Sequence, residues 1–179
     1  MIKFTLDTNC VLAVIKREVL REVILTLADA HANGQADVQI VAIMESENQQ
    51  GGVPLADFRE FEKRLAESEL AHLPLCLPVL TWDFTFWGGS VWAKPTDQQL
   101  ELDLQAILHP DLGGGDAKKF RNRKADIHAM LSHLHHERDV FVSSDDVFHS
   151  VENKPRLLSL GAGRIEKPDA AAGLLRGAL

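Results

Sequence analysis

Residues 2–9 read IKFTLDTN, a short apolar run that ends at Asp7. A second apolar run, from Val140 to Ser143, is followed closely by Asp145. Both runs have the length and composition of buried strands in a parallel sheet. Each carboxylate then lies just past the carboxyl end of its strand, the edge at which ligands bind in open α/β sheets. The two stretches therefore predict an α/β fold with an acidic site at one edge of the sheet.

The rest of the chain alternates between helical and strand-like patterns, which indicates a mainly parallel central sheet in a single domain spanning residues 1–179. Apolar periodicity predicts helices over 18–32, 56–71, about 96–108, about 116–137 and from Pro168 onward. Thr96-Asp97-Gln98-Gln99 has the form of a capping box at the start of one of them. Further strands are predicted at 38–43, 156–160 and 164–166. The segment around 73–95 contains three prolines and all three tryptophans, and is predicted to be an irregular insertion.

The composition is that of a soluble globular protein, with 45% hydrophobic residues and a net charge of −7. No apolar run approaches the ~20 residues of a membrane helix, so we expect no membrane partner. Cys10 and Cys76 lie among apolar residues and are predicted to be packed thiols in a reducing compartment, from which we expect a cytoplasmic location. The acidic balance argues against non-specific coating of DNA, although a local basic strip would still suit a nuclease.

Two further acids fall on predicted helices. Glu47 follows the second strand, with Glu45 as its competitor, and Asp126 lies at the margin of the apolar stripe of the long helix. Each has an ordinary structural interpretation as well. A glutamate in a first helical turn is favoured by the helix dipole, and Asp126 has the spacing for a surface ion pair with Arg123.

The strand-end acids have a structural interpretation too. Asp7 and Asp145 both occupy positions at which aspartate commonly caps a helix or completes a turn. The order of all four motifs favours a site over four unrelated caps. Leu6-Asp7-Thr8-Asn9 is followed by the glutamate after strand two, by Asp126, and by Ser143-x-Asp145-x-x-Phe148.

This order resembles the PIN-domain nucleases over nearly the whole chain, from Met1 to Asp169. Ser143 departs from the family pattern, in which threonine is usual. The resemblance implies a Rossmann-like three-layer sandwich and a Mg²⁺- or Mn²⁺-dependent endoribonuclease. It also implies a role as the toxin of a toxin–antitoxin pair, with an antitoxin or other protein partner and a homodimer.

The same resemblance assigns roles to the site residues. The catalytic and metal-binding residues would be Asp7, Glu47, Asp126 and Asp145. Supporting residues that orient ligands or water would be Thr8, Asn9 and Ser143. The chemistry agrees, because carboxylate oxygens are the ligands that Mg²⁺ and Mn²⁺ prefer.

Residues 118–124 form the dense basic run KKFRNRK. Lys119 and Arg123 lie on the same helical margin as Asp126 and are predicted to contact RNA phosphates, whereas Lys118 and Arg121 are predicted to be solvated. Nearby Asp116 is predicted to be an N-cap, with membership of the acidic site as the alternative.

Other polar and aromatic residues leave alternatives open. His133 would either assist acid–base chemistry or lie on a helix surface. The three tryptophans would either stack on bases or, as we favour, pack in a core or protein interface. The alternative function is a non-catalytic PIN-like module that binds RNA or protein. A phosphatase ranks last, because Asn9 stands where that chemistry usually has a second acid.

Overall fold

Five parallel strands form one sheet in the computed structural model, which describes residues 1–42, 58–81, 90–113 and 117–176. The strands are β1 (Ile2–Leu6), β2 (Ala36–Val41), β3 (Leu75–Cys76), β4 (Val140–Val142) and β5 (Arg164–Glu166). Their order across the sheet is β3-β2-β1-β4-β5, which places the first strand at the centre. β1 pairs with β2 on one side and with β4 on the other.

Helices flank this sheet in the described part of the chain. They are α1 (Thr8–Ile15), α2 (Arg21–Ala32), α3 (Phe58–Ala66), α4 (Asp97–Leu108), α5 (Ala117–His135), α6 (Asp146–His149), α7 (Asn153–Ser159) and α8 (Pro168–Arg176). Alternate residues of a strand point to opposite faces. Accordingly, Phe4 and Leu6 pack with α1, α2 and α8, while Phe141 packs with α4, α5 and α7. The predicted α/β architecture with a parallel sheet is therefore confirmed, and the layering is consistent with a Rossmann-like fold.

One polar contact crosses the core between the sheet and α5. His133 is fully buried, and its Nδ1 lies 2.9 Å from the hydroxyl of Thr5 while its Nε2 lies 3.1 Å from the carbonyl of Ala162. Because a carbonyl only accepts, Nε2 donates and Nδ1 accepts from Thr5. His133 thus joins β1 to the turn before β5, and neither a surface position nor an acid–base role describes it.

At the amino edge of the sheet, the buried Arg138 connects three backbone segments. Its guanidinium donates to the carbonyls of Phe4 and Asp37, at 2.9 and 2.7 Å, and to the Asp37 carboxylate at 3.0 Å. These bonds fix the start of β4 against β1 and β2, so one side chain helps to set the register of the three central strands.

The structure differs from the predicted secondary structure at residues 156–160, at α1 and at the cap of α4. The segment 156–160, predicted as a strand, lies within the helix α7 and the turn after it. A short apolar run is compatible with either a strand or a helix. In this segment only Leu157 is buried in the core. The helix α1 was not predicted. α4 begins at Asp97 as predicted, but within the described residues Thr96 makes no capping bond, and the Asp97 carboxylate accepts from the Lys94 backbone instead.

The segment around 73–95 contributes a short edge strand, β3, and an isolated bridge between Val79 and Val91. Trp92 is 80% exposed, and the other two tryptophans lie outside the described residues. β2 begins and ends two residues earlier than the strand predicted at 38–43. Residue 43 lies outside the described residues.

The two cysteines are packed thiols, as predicted. Both are free and buried, and burial raises the pKa of Cys76 to about 12. None of the helices in the described ranges combines the length and apolar character needed to cross a bilayer.

Two glycines provide a matched pair of stability predictions. Gly163 has a φ of +62°, and a Cβ there would lie 2.4 Å from the carbonyl oxygen of Asp139, whereas a Cβ on Gly173 in α8 would meet nothing within 4 Å. Gly163→Ala should therefore lower the free energy of unfolding by about 1–3 kcal/mol, and Gly173→Ala should raise it by roughly 0.5–1 kcal/mol. Urea denaturation measures both, and similar effects of the two changes would contradict the turn geometry.

Stability should also fall as the pH is lowered from 6.5. Burial lowers the pKa of His128 and of His133 to about 4, whereas the pKa of an unfolded histidine is about 6.5. Between those values the unfolded chain binds more protons, so each histidine reduces the free energy of unfolding by up to about 1.4 kcal/mol per pH unit. His128→Leu should show a shallower decline in urea denaturation at pH 7, 6 and 5, and equal slopes for the two proteins would contradict this.

Candidate active site

Asp7 and Asp145 are joined by a single serine at the carboxyl edge of the sheet. The pairing of β1 with β4 continues one residue past Leu6, because the backbone nitrogen of Asp7 donates to the carbonyl of Val142 at 2.9 Å. The hydroxyl of Ser143 then donates to Asp7 Oδ2 at 2.7 Å and accepts from the backbone nitrogen of Asp145 at 3.0 Å. The structure therefore brings Asp7 and Asp145 to the same edge of the sheet, although they are 138 residues apart in the sequence.

Both acids also cap helices. Asp7 is the N-cap of α1 and its Oδ1 accepts from the backbone of Thr8 at 2.8 Å; Asp145 is the N-cap of α6 and its Oδ1 accepts from Val147 at 2.9 Å. Backbone N–H groups stabilise carboxylates in this position. Each acid therefore has a structural role as a helix cap in addition to the role predicted for it in the site.

Asp126 reaches the same region from α5. Its Oδ2 lies 2.7 Å from Nε2 of His109. Burial raises the pKa of Asp126, the hydrogen bond and charge of His109 partly oppose the increase, and the negative charge of Asp145 adds to it. The charge of Asp145 therefore acts on Asp126 and disfavours its ionised form.

Of the three predicted supporting residues, Thr8 and Ser143 hydrogen-bond to the Asp7 carboxylate, Thr8 through its backbone nitrogen and Ser143 through its hydroxyl. Thr8 is buried and Asn9 is half-buried, both in the first turn of α1, and Ser143 is fully buried between the two acids. Cys10 follows them, and its thiol donates to the carbonyl of Val142 at 3.4 Å. Burial, with a further contribution from the charge of Asp7, raises the pKa of this thiol above its usual range, so it acts as packing.

The predicted phosphate contacts lie on α5. Lys119 is exposed, and Arg123 is half-buried with its guanidinium donating to the backbone carbonyl of Asp111. Lys124 pairs with Glu101 at 2.8 Å, so that cation is engaged with α4. Three predicted residues, Glu47, its competitor Glu45 and Asp116, lie outside the described residues.

Two histidines at the site were not predicted. His109 contacts Asp126, and His149 of α6 donates from Nε2 to the carbonyl of Ser143 at 2.8 Å. The sequence showed His109 only as part of a helix end before Pro110. Its contact with Asp126 depends on how α4 packs against α5, which periodicity does not specify.

The donor chemistry suits a hard divalent cation. Asp7 and Asp145 follow the ends of two parallel strands, and Asp126 lies on α5, near enough for the charge of Asp145 to raise its pKa. Carboxylate oxygens of this kind are the ligands that such a cation prefers. Within the described ranges, no three His, Cys, Asp or Glu side chains lie close enough together to form a ready-made metal site. The fourth predicted ligand, Glu47, is not among the residues described.

Comparisons of this chain with protein-family models, with curated proteins and with solved structures found no match. The interpretation of the site therefore depends on its own residues and geometry.

Ser143 should stabilise the protein independently of any metal. Ser143→Ala removes the hydroxyl that donates to the Asp7 carboxylate. The same change removes the acceptor of the Asp145 backbone N–H. Because a bond to a charged group is lost at a buried position, the free energy of unfolding should fall by about 1.5–3 kcal/mol. Urea denaturation with EDTA present measures this. Ser144→Ala, at a less buried neighbour, should change it by less than about 0.5 kcal/mol, and equal losses would contradict the bridging role.

Proposed function

We propose that this protein is a PIN-like, Mg²⁺- or Mn²⁺-dependent endoribonuclease that hydrolyses phosphodiester bonds of RNA. The observation that carries the proposal is that Ser143 links Asp7 to the backbone of Asp145 at the carboxyl edge of the sheet. The charge of Asp145 also raises the pKa of Asp126, which supports a shared site. Acidic side chains that repel one another at a sheet edge are stabilised by a cation, which makes the cluster useful as a metal site.

Asp7, Asp126 and Asp145, together with Glu47, would hold the metal. A divalent cation bound there would neutralise charge on the phosphoryl group and lower the pKa of a water molecule. Hydrolysis joins the oxygen of that water to phosphorus and breaks the bond to one ester oxygen, which leaves with a proton. Ser143 would keep the Asp7 carboxylate oriented, and Thr8 and Asn9 would support the same edge of the sheet.

Lys119 and Arg123 would contact the RNA backbone. Arg123 lies one helical turn before Asp126, and Lys119 lies about two turns before it. The net charge of −7 limits electrostatic attraction to this short basic strip, which suits a defined stretch of RNA better than bulk duplex DNA. The toxin role, the antitoxin or other protein partner, the homodimer and the cytoplasmic location stay predictions.

The proposal predicts that Asp7→Asn and Asp145→Asn lose at least about 100-fold of Mn²⁺-dependent RNA cleavage, because each removes a carboxylate that would hold the cation. Each asparagine keeps an oxygen for its helix cap, so circular dichroism should show a retained fold. Asp146→Asn is the matched control. Asp146 is exposed and pairs with Lys167 at 2.9 Å, and its loss should leave cleavage unchanged. Cleavage of a labelled single-stranded RNA measures all four proteins.

Two results would contradict this assignment. Cleavage that persists in EDTA would exclude the metal, and equal cleavage by wild type and Asp7→Asn would exclude the site.

A non-catalytic RNA- or protein-binding module is the second candidate. The observation in its favour is that Asp7 and Asp145 both cap helices, which accounts for each acid without a cation. Isothermal titration with Mn²⁺ distinguishes the two, because an inert scaffold has no need to bind the metal and a nuclease must.

A further inference from the structure

His109, at the end of α4, contacts the carboxylate of Asp126 on α5. The distance from Nε2 to Oδ2 is 2.7 Å, and the side chains are 13% and 19% exposed. Such a short distance to a carboxylate is typical of a charge-assisted hydrogen bond. With Asp126 ionised, the carboxylate only accepts, so Nε2–H of His109 is the donor.

The backbone holds His109 in this place. His109 ends α4 with a non-helical φ of −144° and ψ of 69°, and its nitrogen still donates to the carbonyl of Gln105. Pro110 disfavours a helical conformation for the residue before it, which fixes the helix end at this position. The turn that follows is attached to α5, because Arg123 donates to the carbonyl of Asp111. His109 and Asp126 are thus presented to each other by two anchored segments.

A carboxylate that binds a metal needs one oxygen directed at the ion and a fixed orientation. Metal-binding carboxylates are themselves hydrogen-bonded, and those outer partners contribute to affinity. The contact of His109 with Oδ2 supplies such a partner from a different helix. It leaves Oδ1 as the oxygen that His109 does not engage.

We propose that His109 is a positioning residue for the metal site: its Nε2–H holds Oδ2 of Asp126 and leaves Oδ1 to bind the divalent cation. The inference rests on the proposed function, because it assigns Asp126 as a ligand. It gives α4 a part in the site, and it predicts that His109 itself makes no bond to the metal.

The test compares His109→Ala with His109→Gln, since glutamine still carries an N–H that can reach the carboxylate. Mn²⁺ affinity is measured from the electron paramagnetic resonance signal of free Mn²⁺, without any RNA. His109→Ala should bind Mn²⁺ about 10- to 100-fold more weakly than wild type, and His109→Gln should recover most of that loss. His136→Ala is the control: His136 is half-buried and contacts the carbonyl of Leu77, so its removal should leave the affinity unchanged.

Spin-echo spectra of the Mn²⁺-loaded wild type provide a second measurement, which does not depend on a variant folding. They should lack the coupling of a directly bound ¹⁴N. A direct ¹⁴N coupling that disappears in His109→Gln would make His109 a ligand and overturn the positioning role.

The affinities separate the two proposals. Equal Mn²⁺ affinity of wild type and a folded His109→Ala would overturn the role of His109 and leave the metal site standing. His109→Gln as weak as His109→Ala would also overturn it, because the donor would then not be what matters. Absence of Mn²⁺ binding by the wild type would overturn the proposed function and this inference together.

Discussion

The parallel pairing of β1 with β4 brings into contact two parts of the chain that are 136 residues apart. Phe4 lies opposite Val140 and Leu6 opposite Val142, so the next residue on each strand, Asp7 and Ser143, meets at the edge. A shift of one residue would turn the buried side chains of either strand to the wrong face and separate the serine from the acid. The register that buries the core is therefore the register that assembles the site.

The candidate site combines the proposed chemical roles of its acids with structural roles that the fold shows directly. Asp7 and Asp145 begin helices, which places each carboxylate where backbone N–H groups favour its charge. Asp126 is stabilised differently, by His109, against the effects of burial and of Asp145. Capping alone therefore does not explain the arrangement, since Asp126 lies within α5 and caps nothing there.

The sequence predicted the central strands and the acids at their ends because a buried strand has a short apolar run and its last residue marks the sheet edge. The sequence-based prediction failed where tertiary packing determines the secondary structure or the partner of a side chain. Residues 156–160 read equally as strand or helix, and the helix buries Leu157. The surface position considered for His133 followed from its polar ring. In the structure this ring is buried and forms hydrogen bonds with Thr5 and the carbonyl of Ala162. His109 could not be assigned because its partner lies on another helix.

The central position of the first strand bears on how the protein is made. A chain synthesised from its amino end carries Asp7 and β2 long before Ser143 leaves the ribosome. Until then one side of β1 has no partner strand, and the acid at its end lacks the hydroxyl that orients it. The link between Asp7 and Asp145 can thus form only after both strands have been synthesised, so translation itself delays its appearance.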